Sequence, residues 1–260
     1  MKPLNITVVG TGGSASYLLP LLVRAFEINR LTLYDEDILE ERNLERQLFD
    51  ERYVGENKAS ALAKTLKLKQ WVEKLVIKKQ WFTSGTAVPS DETVIFSCAD
   101  NHVARKAVLE TVDRMGISNL EYDVHESPFA VVLGNEYYDA EAYIYLGLWK
   151  GGIFDPRIMY PEINTDKSGD PASCQGIEQV ANPQLALANA RSADHALSTF
   201  YVWLNRYIGP ISEGVNPHEL KGVFNHSPFY IRSGECYSEF YSPKLYREIV
   251  QERATEDEQD

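Results

Sequence analysis

The first 125 residues alternate between short β-branched, apolar runs and longer stretches whose apolar residues recur at helical spacing. The short runs predict β-strands at residues 6–9, 31–34, within 75–82, at 93–96 and near 119–122. The periodic stretches predict helices over residues 15–29, 57–69 and 101–115. Because parallel strands need crossover connections, this alternation predicts an α/β fold built on a doubly wound, mainly parallel sheet.

The pattern changes after residue 125. Residues 129–146 read as two antiparallel extension strands, and the Gly-, Pro- and Asp-rich residues 147–173 read as a long crossover loop. A long helix is predicted over 183–207 and short aromatic strands over 222–242. We therefore predict that residues 1–125 form one half of a domain and that 126–255 complete it. The acidic residues 256–260 are predicted to be a disordered tail.

Charge is unevenly distributed along the chain. The 260 residues contain 26 Lys+Arg and 38 Asp+Glu, for a formal net charge of −12. Residues 1–80 hold 13 basic and 11 acidic side chains, a net +2, which leaves 13 and 27, a net −14, for residues 81–260. Proteins that bind nucleic acids or anionic membranes need a basic face, so the acid excess argues against both classes of ligand.

Cysteines and long apolar runs are scarce. Three scattered cysteines without a C-x-x-C pair favour neither a disulfide framework nor a structural zinc site, so no zinc is expected. No signal peptide and no run of membrane-spanning length is evident. A reduced, cytoplasmic compartment is the simplest prediction.

A glycine-rich turn joins the first predicted strand to the first predicted helix. It has the pattern Gly10-x-Gly12-x-x-Ala15, with Gly13 directly after the second glycine. Glycine lets the backbone approach a phosphate closely, and the helix N-terminus offers free N–H groups to the anion. The motif predicts a Rossmann-like nucleotide-binding site, whereas the alternative is a tight turn without a ligand.

An acidic residue stands where a ribose ligand is expected. Asp35 follows Ala15 by 20 residues and lies at the end of the second predicted strand. A carboxylate there can accept hydrogen bonds from both hydroxyls of a ribose. Up to this point the pattern suits an NAD-dependent oxidoreductase equally well.

Three further motifs follow in order. Residues 35–47 read D-x-D…N-L-x-R-Q, residues 54–58 read V-G-x-x-K, and residues 100–105 read D-N-x-x-x-R. Together with the glycine turn they resemble the ThiF/MoeB and ubiquitin-activating-enzyme superfamily. Residues 174–177 and the long helix after them resemble a later part of that family more loosely.

The resemblance implies an enzyme that binds ATP and Mg²⁺ and adenylates the C-terminal glycine carboxylate of a small ubiquitin-like, β-grasp protein. It makes Asp35 the ribose ligand, places Asn43, Arg46 and Lys58 around the phosphates, and makes Asp100 the carboxylate associated with Mg²⁺. Physical chemistry agrees, because a carboxylate that attacks a phosphate needs nearby cations to offset the repulsion between anions. Residues 1–125 would then be the ATP-binding half, and the protein would be a homodimer.

Cys174 has two readings. The resemblance places it where relatives carry a cysteine that takes the activated carboxyl as a thioester, and a thiolate is a good nucleophile once its pKa is lowered. No His or Lys stands immediately beside Cys174, and a free cysteine is commonly a small buried apolar residue. Both readings stay open here.

The chain departs from many of these relatives in two respects. It lacks the two C-x-x-C pairs that bind zinc, and its first strand begins before any N-terminal helix that could carry an arginine to a partner's ATP. In these two respects the chain resembles the ThiF-like proteins of bacterial PRTRC gene clusters. That resemblance implies ubiquitin-like and ubiquitin-conjugating-type partners. The rival hypotheses are the oxidoreductase and a non-catalytic scaffold that only holds a β-grasp protein.

Overall fold

Strands and helices alternate through the first half of the chain, as the sequence predicts. The computed structural model describes residues 2–116, 128–135, 140–152, 155–165 and 186–204, and the strand residues 224–226, 229–230, 235–236 and 239–241. The first half contains β1 (Leu4–Val9), α1 (Gly13–Ala25), β2 (Ile28–Tyr34), α2 (Lys58–Thr65), β3 (Val72–Lys78), β4 (Val94–Ser97) and α3 (His102–Gly116). The later elements are β5 (Phe129–Asn135), β6 (Ala140–Leu146), α4 (Pro156–Met159), α5 (Glu162–Thr165) and α6 (Ala186–Trp203).

Six of these strands form one sheet in the order β3-β2-β1-β4-β5-β6. All neighbouring pairs are parallel except β5 and β6, which are antiparallel. This is the strand order of dinucleotide-binding folds, so the predicted doubly wound sheet with an antiparallel extension is confirmed. All six residues of β1 are buried, which suits a central strand covered on both faces.

Helices cover the two faces of the sheet. On one face, Phe200 of α6 packs its ring 5.1 Å from Phe96 of β4 and 6.0 Å from Phe129 of β5. On the other face, the Tyr145 hydroxyl of β6 donates a hydrogen bond to Asp113 of α3 at 2.5 Å. Tyr145 pairs with the residue next to Phe129 in β5, and neighbouring strand residues point to opposite faces. Helices α6 and α3 therefore lie on opposite sides.

Two predicted helices are too long at their C-termini. Helix α1 ends at Ala25 rather than 29, because Phe26 is extended and Ile28 already pairs with Leu4 in the sheet. Helix α2 ends at Thr65 rather than 69, because Lys67 has a left-handed backbone with φ of 51°. A left-handed residue ends a helix, and a separate 3₁₀ turn follows over Leu68–Gln70.

The predicted bounds of β3 and the predicted pairing of β5 need correction. Strand β3 begins at Val72, three residues before the predicted segment 75–82, and ends at Lys78. The strand predicted near 119–122 lies outside the described residues. The fifth parallel strand is β5, for which only antiparallel pairing was predicted, and it pairs in parallel with β4 as well as antiparallel with β6. The sheet therefore continues across position 125.

The predicted crossover loop over 147–173 contains short helical turns in its described part. A 3₁₀ turn spans Gly147–Trp149, and the short helices α4 and α5 follow. Asp155 caps α4 by accepting the Arg157 N–H at 3.0 Å, and Pro156 takes the first helical position, where its missing N–H costs nothing. Residues 166–185 lie outside the described part.

The predictions for residues 183–242 agree with the structure where it describes these residues. Helix α6 lies within the predicted 183–207. Strands β7 (Phe224–His226), β8 (Phe229–Tyr230), β9 (Glu235–Cys236) and β10 (Glu239–Tyr241) lie within 222–242 and pair as two antiparallel ladders. Among the described residues, no helix is both long and apolar enough to cross a membrane.

An ion cluster, in which Glu92 is buried and Asp91 is exposed, ties the amino ends of the central strands together. Arg30 of β2 contacts Asp91 at 2.8 Å and Glu92 at 3.0 Å, just before β4. Asn5 of β1 donates to the Asp91 carbonyl oxygen at 2.7 Å. Burial raises the pKa of Glu92 from 4.5 to about 7, although the bond to Arg30 favours its charged form. The cluster therefore makes a proton-dependent contribution to folding stability.

This cluster predicts how the free energy of unfolding changes with pH. Folding raises the pKa of Glu92, so between pH 4.5 and about 7 the folded state binds more protons than the unfolded state. The free energy of unfolding therefore falls as pH rises through this range. We expect Glu92→Gln to remove about 1–3 kcal/mol of this fall, measured by urea unfolding at pH 5 and pH 8. Asp91→Asn is the control, because the pKa of Asp91 is lowered and its titration lies below this window. An unchanged pH slope in Glu92→Gln would contradict the assignment.

Candidate functional site

The glycine turn lies at the carboxyl edge of the sheet, where the strand order changes direction. From β1 the chain moves outward through β2 and β3, and it then returns to β4 on the other side of β1. In open α/β sheets a ligand binds at this switch point. Gly10 has φ of +84°. A Cβ on Gly10 would lie 2.7 Å from the backbone nitrogen of Ala99, a residue that follows β4. Only glycine meets both demands, so the turn can sit directly against the end of β4.

The next two glycines start α1. Gly12 is the N-cap and its φ is ordinary, and the Gln47 side-chain nitrogen lies 3.8 Å from where a Cβ on Gly12 would be. A Cβ on Gly13 would overlap the side-chain amide of Asn189 in α6. The absence of side chains therefore leaves the face of the turn open at Gly12 and lets α6 pack closely at Gly13. The first N–H groups of the helix have no intrahelical acceptor and can meet an anion.

Asp35 is buried at the end of β2 and is bonded to the glycine turn. Its Oδ2 atom accepts the N–H of Thr11 at 2.7 Å and the Thr11 hydroxyl at 2.9 Å. Its Oδ1 atom accepts the Asp37 N–H at 2.9 Å. Burial raises the pKa of the Asp35 carboxyl, while the nearby Lys58 ammonium and the Thr11 N–H favour the charged form. The predicted ribose ligand therefore lies beside the predicted phosphate turn.

Lys58 is the first residue of α2 and lies against the same edge. Its Nζ atom is 2.7 Å from Asp37 Oδ2, and only 14% of its side chain is exposed. The Lys58 N–H donates to the Asp37 carbonyl at 2.8 Å, and the Asn57 side chain caps α2 and donates to the Asp35 carbonyl at 2.8 Å. These bonds dock the helix onto the end of β2 and hold the Lys58 ammonium close to Asp35.

Asp100 follows β4, which lies on the opposite side of β1 from β2. It is partly buried, and desolvation raises the pKa of its carboxyl while the Lys58 and Arg105 charges lower it. Asn101 caps α3 by accepting the Ala104 N–H at 2.8 Å, which sets the position of Asp100 at the start of that helix. Sequence positions 35, 58 and 100 thus converge on the carboxyl edge, as the motif spacing predicts.

A single carboxylate does not make a metal site. Within the described part of the chain, no three His, Cys, Asp or Glu side chains converge so that they could hold a metal ion. Mg²⁺ prefers a few carboxylate ligands together with phosphate oxygens and water. Asp100 therefore fits a magnesium ion that is bound jointly with a phosphorylated ligand and does not fit an ion held by protein alone.

The segment from Glu40 to Gln47 carries the remaining predicted phosphate ligands. Asn43 is buried, and its Oδ1 atom accepts the Glu40 N–H at 3.0 Å, while the Glu40 side chain accepts the Asn43 N–H. Arg46 has a buried Nε atom with no hydrogen-bond partner, and its guanidinium forms no ion pair within the described residues. Buried polar groups are almost always bonded, so this arginine points to an anionic ligand.

Neighbouring contacts hold Arg46 beside the glycine turn. The Leu48 N–H donates to the Ser16 hydroxyl of α1 at 3.0 Å, and the Asn189 amide of α6 donates to the Arg46 carbonyl at 3.2 Å. Because Asn189 also lies against Gly13, the Arg46 backbone and the start of α1 share one neighbour. The structure thus brings Arg46 to the site from a segment with little regular secondary structure.

Gln47 and Thr11 belong to the site but were not selected from the sequence. Gln47 is buried, its nitrogen lies over Gly12, and its Oε1 atom is buried without a hydrogen-bond partner. The position next to Arg46 in the D-x-D…N-L-x-R-Q motif was the available signal for Gln47. No sequence signal distinguishes Thr11 from any other residue between two glycines.

The cysteines contribute little to the described geometry. Cys174 lies outside the described residues, so its two readings remain predictions. Cys98 is buried after β4, and desolvation raises the pKa of its thiol. A buried thiol with a raised pKa is a poor nucleophile.

Comparison with known proteins agrees with this geometry. The model of the ThiF family matches residues 1–128. Two curated relatives are ubiquitin-like modifier-activating enzyme 5 of Oryza sativa subsp. japonica, 28% identical over 144 residues, and its namesake in Arabidopsis thaliana, 29% identical over 144 residues. Each alignment covers 48% of this chain and 33% of the relative, so the chain spans about a third of their length.

Solved structures extend the likeness beyond residues 1–128. A structure of E. coli MccB with ATP has a TM-score of 0.58 and 17% identity, covering 93% of this chain and 64% of that one. A structure of PaaA has a TM-score of 0.56 and 16% identity, covering 92% of this chain and 73% of the other. At such low identity the likeness establishes a shared fold for most of the chain.

The close approach of Gly10 to Ala99 gives a test of the site's framework. We expect Gly10→Ala to lower the free energy of unfolding by about 2–5 kcal/mol, through the unfavourable φ and the overlap with the Ala99 backbone. Gly55→Ala is the matched control, because Gly55 has φ of +90° and a Cβ added there would meet no atom within 4 Å. It should cost about 1–2 kcal/mol through φ alone. Equal losses in urea unfolding would show that the contact with Ala99 is unimportant.

Proposed function

We propose that this chain uses ATP to adenylate the C-terminal glycine carboxylate of a small ubiquitin-like, β-grasp protein. The observation that carries the proposal is Arg46, whose backbone shares the contact of Asn189 with the start of α1 and whose buried Nε atom has no hydrogen-bond partner among the described residues. Asp35 and Lys58 flank the glycine turn. Together they offer a ribose acceptor and two cations at one switch point.

The proposed reaction needs positioning and charge neutralisation more than a protein nucleophile. The substrate carboxylate oxygen forms a bond to the α-phosphorus of ATP, and the bond from that phosphorus to the bridging oxygen breaks. Pyrophosphate leaves with the electron pair of that bond, and the product is an acyl adenylate. Arg46 and Lys58 would stabilise the negative charge that builds up on the phosphate oxygens, because donors aimed at developing charge lower the barrier. Arginine suits the task because it can bind phosphate oxygens bidentately.

Acidic residues around Lys58 favour a magnesium-bound nucleotide. Three carboxylates, those of Asp35, Asp37 and Asp100, lie around the charges of Lys58 and Arg105, so they outnumber these two cations. A bare triphosphate would be repelled by the excess. Asp100, with phosphate oxygens, would hold Mg²⁺, which when bound supplies positive charge to the phosphates.

The comparisons support the adenylation proposal. The relatives with sequence similarity are named ubiquitin-like modifier-activating enzymes, and MccB has been solved with ATP and with MccA. Our proposal carries ATP use and a protein carboxylate over to this chain. A homodimer, a ubiquitin-conjugating-type partner and a place in a PRTRC-like gene cluster are the further parts of the proposal, and they rest on the sequence resemblance.

Charge asymmetry supports a docking role for the second half of the chain. Residues 81–260 carry a net charge of −14, which would attract a basic β-grasp protein and steer its approach. Association with such a partner should therefore weaken as ionic strength rises. Partner binding that is insensitive to salt would remove this part of the proposal.

Pyrophosphate exchange into ATP tests the central reaction. With a β-grasp protein that ends in a free glycine carboxylate, we expect exchange in the wild type and at least about a hundredfold loss in Lys58→Ala, since stabilising transition-state charge contributes on that scale. Lys64→Ala is the matched control on the same helix, because Lys64 is half exposed and pairs with Glu56. It should keep exchange near the wild-type rate.

Two outcomes would decide for the rival hypotheses. NADH binding without pyrophosphate exchange would favour the oxidoreductase. Exchange that is absent in the wild type, together with β-grasp binding that Lys58→Ala leaves unchanged, would favour the scaffold. Loss of exchange in Lys58→Ala with partner binding retained is the result that adenylation predicts.

Thioester formation on Cys174 is a separate step of the proposal. A thiolate would attack the acyl adenylate carbonyl carbon, forming a C–S bond and releasing AMP. We expect Cys174→Ala to keep pyrophosphate exchange and to lose a thiol-sensitive adduct with the β-grasp protein, seen on non-reducing gels. Cys236→Ala is the control and should keep the adduct. An adduct that survives in Cys174→Ala would exclude Cys174 as the nucleophile.

A further inference from the structure

Thr11 uses part of the hydrogen-bonding capacity of Asp35. The Thr11 residue is completely buried between Gly10 and Gly12. Both its N–H, at 2.7 Å, and its hydroxyl, at 2.9 Å, donate to the same Asp35 oxygen, Oδ2. A threonine hydroxyl has one hydrogen to donate, so Asp35 receives two separate bonds from this one residue.

The other Asp35 oxygen is also partly occupied. Oδ1 accepts the Asp37 N–H at 2.9 Å. An ionised carboxylate offers about four lone-pair sites, two on each oxygen. Two bonds on Oδ2 and one on Oδ1 leave one site, on Oδ1. The backbone donors belong to the turn and to the end of β2, so of the three bonds only the one from the Thr11 hydroxyl depends on a side chain.

A ribose presents two neighbouring hydroxyls, at its 2′ and 3′ positions. We propose that the Thr11 hydroxyl limits Asp35 to one ribose hydroxyl, so that Thr11 sets how this site recognises the sugar of its nucleotide. The inference rests on the proposed function, in which Asp35 meets the ribose of ATP. It differs from the expectation from the sequence, in which Asp35 accepts bonds from both hydroxyls.

Nucleotide binding by the full chain tests the proposal without any chemical step. The measurement is the Kd of ATP, 2′-deoxy-ATP and 3′-deoxy-ATP with magnesium, by isothermal titration calorimetry. For the wild type, one deoxy analogue should bind about ten- to a hundredfold more weakly than ATP, as expected for losing a bond to a charged acceptor. The other analogue should bind within about threefold of ATP, because its missing hydroxyl has no free site on Asp35.

Substitution of Thr11 should change this pattern. Thr11→Val keeps the shape and the N–H but removes the hydroxyl, which frees a second acceptor on Oδ2. The analogue that the wild type tolerates should then bind about three- to tenfold more weakly than ATP. Thr11→Ser keeps the hydroxyl and is the matched control, and it should reproduce the wild-type pattern.

The possible failures are distinguishable. Equal weakening of both analogues in the wild type would overturn the inference and leave the proposed function intact, as would a Thr11→Val pattern identical to that of the wild type. Absence of any ATP binding would overturn the proposed function and this inference with it. Normal ATP binding and ribose discrimination without pyrophosphate exchange would overturn the proposed reaction alone. The wild-type and Thr11→Ser measurements decide the matter even if Thr11→Val does not fold.

Discussion

The buried carboxylate of Asp35 is the interaction on which the rest of the site depends. Taking a carboxylate out of water is costly unless hydrogen bonds replace its hydration, and here the backbone of the glycine turn and of Asp37 supply them. The Thr11 bonds join the start of α1 to the end of β2, and the Asn57 amide joins the same strand end to α2. One residue therefore fixes the mutual position of three elements.

A second constraint follows from the lack of side chains at Gly10 and Gly13. The turn lies against the end of β4 at Gly10, and α6 comes close to α1 at Gly13. Helix α6 then also holds the Arg46 backbone through Asn189. The proposed phosphate ligands thus come from segments far apart in sequence, and close packing around two glycines brings them to one edge. Changes in the core of α6 would reach the site by this route.

Local signals explain which features could be predicted from the sequence. The strand β1, the glycine turn and the start of α1 follow from short-range patterns, and Asp35, Lys58 and Asp100 follow from the order of the motifs. The end of α1 could not be predicted, because the pairing of Ile28 with Leu4 overrides a helical pattern that continues past Ala25. Parallel pairing of β5 and the bonds from Thr11 to Asp35 are likewise contacts between segments distant in sequence.

The two edges of the sheet show why the site lies where it does. At the amino edge, burial raises the pKa of Glu92, and Arg30 pairs with both Glu92 and Asp91 within the protein. At the carboxyl edge, burial raises the pKa of Asp35 in the same way, while Arg46, whose backbone lies by the start of α1, forms no ion pair within the described residues. Arg46 is therefore a cation that a bound phosphate would neutralise.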